Sequence, residues 1–124
     1  MAKILYVEDY EAQRDVMLWL LGMYGYEVDV AYDGEEGLKK ARECHPDVIL
    51  MDMPLLGRID GLAAIRQLRN GPDTADIPII VISAWGSFKH KVQALRAGAN
   101  VHFTKPVPID ELTAAINRYL REPS

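Results

Sequence analysis

Glu8, Asp9, Asp52, Ser83 and Lys105 are the residues whose types could do chemistry together: three carboxylates, a hydroxyl and an ammonium. Each ends or follows a short apolar run. Ile4-Leu5-Tyr6-Val7 leads into Glu8-Asp9, Val48-Ile49-Leu50-Met51 into Asp52, Ile79-Ile80-Val81-Ile82 into Ser83, and Val101-His102-Phe103 through Thr104 into Lys105. An ionised carboxylate at the end of a buried strand is expensive to desolvate without a partner. Asp52 is therefore expected at the mouth of its strand, half in water beside a positive group, as a reactive carboxylate. Three carboxylates in one cleft repel, and some take up protons unless a cation neutralises them. Oxygen-only ligands with room for water select a hard cation, Mg²⁺ rather than a fully caged Ca²⁺. With one lysine, such a site sums to roughly zero charge and is ready for a dianionic phosphoryl group.

For those ends to meet, the runs must lie side by side. Pro46 and Asp52 bound a continuous apolar stretch, as expected of a strand buried on both faces. Tyr26-Glu27-Val28-Asp29-Val30 alternates apolar and polar, as a half-exposed edge strand should. Between the runs, apolar residues recur at helical spacing. Ala12, Val16 and Leu20 with Met17, Leu21 and Tyr24 mark a first helix, ended by Gly25; Leu38 and Ala41 mark a second, ended by His45-Pro46. Asp33 and Glu36 have the spacing of a capping box. Leu62, Ile65 and Leu68 mark a third helix, Val92, Leu95 and Ala97 a fourth, and Leu112, Ala115, Ile116, Tyr119 and Leu120 a fifth opened by Asp110-Glu111. Strict strand-helix alternation predicts an α/β fold, a doubly wound parallel sheet. The order 2-1-3-4-5 satisfies two edges and three central runs, and it sets the mouths of the first and third strands together at the topological switch point. One domain is expected over residues 1–124, with strand-helix pairs at about 3–24, 26–44, 47–70, 78–97 and 101–121.

The acidic pair Glu8-Asp9, then Asp52, Ser83-Ala84 and Phe103-Thr104-Lys105-Pro106, each on its own strand, resembles the CheY-like receiver domain of two-component response regulators, over essentially the whole chain. The resemblance implies a flavodoxin-like (βα)5 fold and a role for each residue. Asp52 would take a phosphoryl group from phosphohistidine and become an aspartyl phosphate. Asp9, Asp52 and the backbone carbonyl of Pro54 would hold Mg²⁺, with Glu8 supporting it through water. Lys105 would pair with a phosphoryl oxygen, aimed by a cis Lys105-Pro106 bond, and the Ser83 hydroxyl would donate to another. Implied partners are a histidine kinase or histidine phosphotransfer protein, docking on the first-helix side of the cleft, and a downstream protein target reading the helix 4-strand 5-helix 5 surface.

Three departures from the family pattern matter. His102 stands where an aromatic usually completes the switch; being polar and titrating near neutral pH, it is expected to give weaker or pH-sensitive coupling. Leu56 replaces a proline in the loop after Asp52, Pro54 occupies the metal-carbonyl position, and Gly61 lies one residue late. Trp85, two residues after Ser83, is expected to screen the acyl phosphate from water and slow self-dephosphorylation.

The whole chain bounds these readings. Its 124 residues, 49% hydrophobic and 26% charged, suit one ordinary soluble domain. A net charge of -4 argues against direct nucleic-acid binding. No run is long enough for membrane insertion, and no signal peptide precedes the first strand. A single cysteine, Cys44, cannot form an internal disulfide, so a cytoplasmic location is expected, with Cys44 packed and inert. Tyr6 and Met51 are expected in the core. Lys89-His90-Lys91 is expected as a solvated face. A start at Met1 and a polar end, Arg121 to Ser124, favour a stand-alone regulator. A small-molecule-binding flavodoxin-like module would want a Gly-rich loop after the first strand, where Glu8-Asp9-Tyr10-Glu11 is acidic instead. A metal-dependent phosphohydrolase would want a general acid that the sequence does not offer, so no metabolic enzyme is expected.

Overall fold

The structure, a computed structural model, describes residues 2–55 and 57–121. The departure at Leu56 and the polar end at Glu122, Pro123 and Ser124 lie outside the described residues. Strands and helices alternate as β1 (Lys3–Val7), α1 (Glu11–Met23), β2 (Glu27–Ala31), α2 (Gly34–Cys44), β3 (Val48–Met53), α3 (Gly61–Asn70), β4 (Ile79–Ser83), α4 (Phe88–Ala97), β5 (Val101–Thr104) and α5 (Ile109–Arg121). All pairings are parallel and the order is β2-β1-β3-β4-β5, as the apolar runs predict. Every residue of β3 and β4 is buried, whereas β2 is mostly half-exposed at its edge. No helix among the described residues is long and apolar enough to cross a membrane.

Successive strand side chains point to opposite faces, and the core divides accordingly. Leu5, Val7, Ile49, Met51, Ile79 and Val81 pack with α2, α3 and α4 through Leu38, Ala41, Ala64, Ile65, Leu68 and Ala94. Ile4, Tyr6, Val48, Leu50, Ile80 and Ile82 pack with Leu21 of α1 and Leu112 and Ile116 of α5. The same alternation carries Asp52 onto the α1–α5 side of β3, the side that Tyr6 occupies on β1.

Helix ends follow local chemistry. The Glu36 N–H donates to Asp33 at 2.8 Å, while the Glu36 carboxylate accepts from the Tyr32 N–H at 2.8 Å, so the capping box closes one residue further out than the spacing suggested. Three expectations need correction. On α1, Ala12, Val16 and Tyr24 are exposed, and the helix buries Leu21 with Met17 and Leu20 half-covered. On α4, Leu95 is exposed and Ala94 is buried in its place. Periodicity locates an apolar stripe but not how far the sheet extends beneath it. Cys44 is exposed rather than packed, because it is the last residue of α2.

One polar clasp ties the α3–β4 connection to the α4–β5 connection. The Arg69 guanidinium donates to the backbone oxygens of Gly98 (2.8 Å), Ala75 (3.0 Å) and Ile77 (2.7 Å) and to the Asn100 side chain (2.7 Å). That Asn100 oxygen also accepts from the Ile79 N–H at 2.8 Å, at the start of β4. Gly98 has φ 126°, and a Cβ there would come within 2.5 Å of the Arg69 stem, so glycine is required twice over. Arg69→Ala would strand several acceptors at once. It is expected to lower unfolding stability by about 2 to 3 kcal/mol in urea titrations, given the worth of hydrogen bonds from a charged donor.

Candidate functional site

Asp52 lies one residue before the end of β3 and, rather than standing half in water, is only 3% exposed, its charge met by donors of the fold instead. Its two oxygens meet different donors. Lys105 Nζ lies 2.6 Å from Oδ1, and the Tyr6 hydroxyl donates to Oδ2 at 3.3 Å. Lys105 follows β5, joined to Pro106 by a cis peptide bond, and its backbone N–H donates to the Ser83 carbonyl at 2.7 Å. Its ammonium also donates to the Gln13 side chain of α1 at 2.8 Å. Glu8, 2% exposed just past β1, accepts from the Tyr10 N–H at 2.9 Å and from the Tyr6 hydroxyl at 3.4 Å.

Glu8, Asp9, Asp52, Pro54 and Lys105 line one cleft of about 290 Å³, with Tyr10, Gln13 and Ala84. The four residues expected around a cation, and the lysine expected to face a phosphoryl group, thus line one cleft. Charge is poorly balanced there. Burial first, and then the adjacent Asp52, push the Glu8 carboxyl up to about 8, against an ordinary 4.5. Lys105 opposes that shift but does not cancel it. Burial and the same two carboxylates drive the Tyr6 phenol far above its ordinary value, so it stays a donor.

Ser83 and His102 lie apart from that cleft. They share a small void of about 30 Å³ with Met53, Leu62, Trp85, His90 and Gln93, on the α3–α4 side of the sheet. The Ser83 hydroxyl accepts from the Trp85 N–H at 2.9 Å. His102 is buried, and that burial holds its imidazole below the usual 6.5, with Lys91 and His90 adding to the effect. Its titration therefore moves to more acidic pH than the sequence suggested. The Trp85 ring turns toward His90, centroids 5.0 Å apart, and is not among the residues lining the acidic cleft. Its placement does not support the expected screening of Asp52.

The donor set suits a hard divalent cation, being carboxylate and carbonyl oxygen only. Among the described residues, no three acidic, imidazole or thiol groups stand close enough to cage an ion by themselves. A cation here would lean on the Pro54 carbonyl and water, the open coordination that Mg²⁺ prefers.

The family model for the response regulator receiver domain matches residues 4–117. The chain belongs to that family. Among curated relatives, the receiver domain is 36% identical over 121 residues to the DNA-binding dual master transcriptional regulator RpaA of Synechocystis sp., covering 98% of this chain and 50% of that protein. It thus spans about half the length of the curated relatives it matches. Among solved structures it superposes on the receiver domain of a sensor histidine kinase from Pseudomonas aeruginosa, with a magnesium ion coordinated in its active-site cleft (TM-score 0.90, 30% identity, 98% of each chain). The beryllofluoride-activated N-terminal receiver domain of RstA from Klebsiella pneumoniae is similar too (TM-score 0.89, 28% identity, 97% of this chain and 99% of that one).

Two residues of the receiver site were not singled out from sequence. Tyr6 was expected in the core, and its ring is there, but its hydroxyl reaches Glu8 and Asp52. Its two-residue spacing from Glu8 on the same run was the available signal. Gln13 gave none, since it lies on the exposed side of α1.

The raised Glu8 carboxyl predicts a pH dependence. The folded, metal-free chain keeps the Glu8 proton up to about 8, whereas an unfolded glutamate releases it near 4.5. The folded state binds more protons across that window, so this contribution is intact below it and is lost as pH rises through it. Urea midpoints in EDTA are expected to fall between about pH 5.5 and 8.5, and Glu8→Gln should flatten that slope.

Proposed function

We propose that this receiver domain is a phosphorylation switch in which Asp52 is the phosphoacceptor. The observation that carries the reading is the 2.6 Å pairing of Lys105 with Asp52 Oδ1 in the cleft that Glu8, Asp9 and Pro54 also line. In phosphotransfer an Asp52 oxygen attacks phosphorus, the P–N bond of a phosphohistidine breaks, and its electron pair leaves with the imidazole. Lys105 follows the incoming negative charge from carboxylate to phosphoryl oxygen as a point charge. Asp9, Asp52 and the Pro54 carbonyl would hold Mg²⁺, with Glu8 supporting it through water. That ion would spread the charge of the transferring group and align it.

The switch then runs through Ser83. Its hydroxyl keeps a proton to donate while accepting from Trp85, so a phosphoryl group on Asp52 would draw it across the sheet. The void it leaves is bordered by His102, which turns the change into a new α4–β5–α5 surface for a downstream protein. His102 stays neutral at neutral pH, so it fills space there as an uncharged ring.

A histidine kinase or histidine phosphotransfer protein is the donor we favour. The exposed apolar residues Ala12, Val16, Trp19 and Met23 of α1 offer it a landing face beside the cleft, and the first two also border an apolar hollow that reaches Asp52 and Lys105. The acidic net charge of -4 favours protein partners over nucleic acid, although the relative RpaA is DNA-binding by name at twice this length. The free, exposed Cys44 suits the reducing cytoplasm.

Acetyl phosphate with Mg²⁺ is expected to add one phosphoryl group per chain by intact mass, lost in Asp52→Asn and in EDTA. Multiple turnover of the donor without an adduct would favour a phosphohydrolase instead.

A further inference from the structure

Tyr6 is the phenol among the fully buried residues of its layer, which are otherwise aliphatic, while Tyr26, Phe103 and Tyr119 pack against that cluster only partly buried. Its cluster companions on the sheet are Ile4, Val48, Leu50, Ile80 and Ile82, and an aliphatic side chain would satisfy the packing. A buried phenol brings a hydroxyl that must find a partner. The partners it finds are the carboxylates of Glu8, at 3.4 Å, and Asp52, at 3.3 Å. One proton between two acceptors, each slightly long, is the geometry of a shared hydrogen bond. The ring is 1% exposed, so the donor is fixed in place by the core. Asp52 is therefore gripped at both oxygens, Oδ1 by Lys105 and Oδ2 by Tyr6.

We propose that Tyr6 shortens the lifetime of the aspartyl phosphate by hydrogen bonding to Asp52; this rests on the phosphoacceptor reading above. A carboxylate is a strong acceptor, and charge-assisted hydrogen bonds are roughly twice as strong as neutral ones. Once phosphorylated, Asp52 keeps only an acyl carbonyl and an ester oxygen, which are weaker acceptors. The donor thus stabilises the free acid over the acyl phosphate, whichever oxygen carries phosphorus. In hydrolysis, water oxygen bonds to phosphorus and the P–O bond to Asp52 breaks, its electron pair returning to the carboxylate. Both protons of the water leave with the phosphate, as dihydrogen phosphate. Tyr6 gives up no proton; it steadies the charge that builds on Asp52 in the transition state.

The test uses the full chain with Mg²⁺ and acetyl phosphate, the donor then being removed and decay followed by intact mass. Tyr6→Phe keeps the ring and removes the oxygen, and its aspartyl phosphate is expected to last about threefold longer, less than a short charge-assisted hydrogen bond would give because the contact is long and shared. Tyr6→Leu, which matches the neighbouring side chains, should lengthen it likewise. A second readout needs neither metal nor phosphate: the ζ-carbon NMR resonance of Tyr6 should move when Asp52→Asn is introduced. Decay of both variants at the wild-type rate, or an unmoved resonance, overturns the inference. Wild-type chain that takes up no phosphoryl group overturns the phosphoacceptor reading and the Tyr6 inference with it.

Discussion

Too much negative charge for one lysine is the constraint on which this site turns. Glu8 and Asp52 are both almost wholly withdrawn from water, and Lys105 is the ammonium paired with Asp52 at 2.6 Å. Desolvation raises the cost of every uncompensated charge. The chain answers by keeping a proton on Glu8, and the Tyr6 hydroxyl sits between the two acids. A site in that condition has a standing affinity for positive charge and a nucleophile whose anionic form is steadied from two sides. Those are the conditions for accepting a phosphoryl group.

The fold exists to bring those charges together while keeping everything beneath them dry. Parallel strands put their C-terminal ends at one rim, and the order β2-β1-β3-β4-β5 sets β1 beside β3, so Glu8 and Asp52 become neighbours across 44 positions of chain. The two-residue period then divides labour between faces. Tyr6 and Asp52 fall on the α1–α5 side with the acidic cleft, while Ser83 falls on the α3–α4 side with His102 and Trp85. The sheet lies between the acidic cleft and the Ser83–His102 void.

How much of this was legible before the structure depended on whether a feature is local. Which strands are central and which are edges followed from which runs are continuous and which alternate, because burial on two faces leaves its mark on every residue of β3 and β4. The cleft residues were legible because each ends or closely follows such a run. Side-chain aim was not. Nothing in the order of letters says that the Trp85 ring folds onto His90, or that Gln13 reaches Lys105 from another element. Tyr6 was misjudged for a different reason: its ring belongs to the core and its oxygen to the site, and a one-word assignment cannot hold both. The outward turn of Val16 and Leu95 depends on how much sheet lies beneath α1 and α4, which helical periodicity alone does not encode.

If crowding of acids around a single ammonium governs the site, a divalent cation must displace a proton when it binds. Calorimetric titration of the unphosphorylated chain with Mg²⁺ near pH 7, repeated in buffers of different ionisation enthalpy, counts those protons directly. Release approaching one proton per Mg²⁺ bound is expected in the wild-type chain and close to none in Glu8→Gln. Binding of Mg²⁺ with a heat independent of buffer would contradict it.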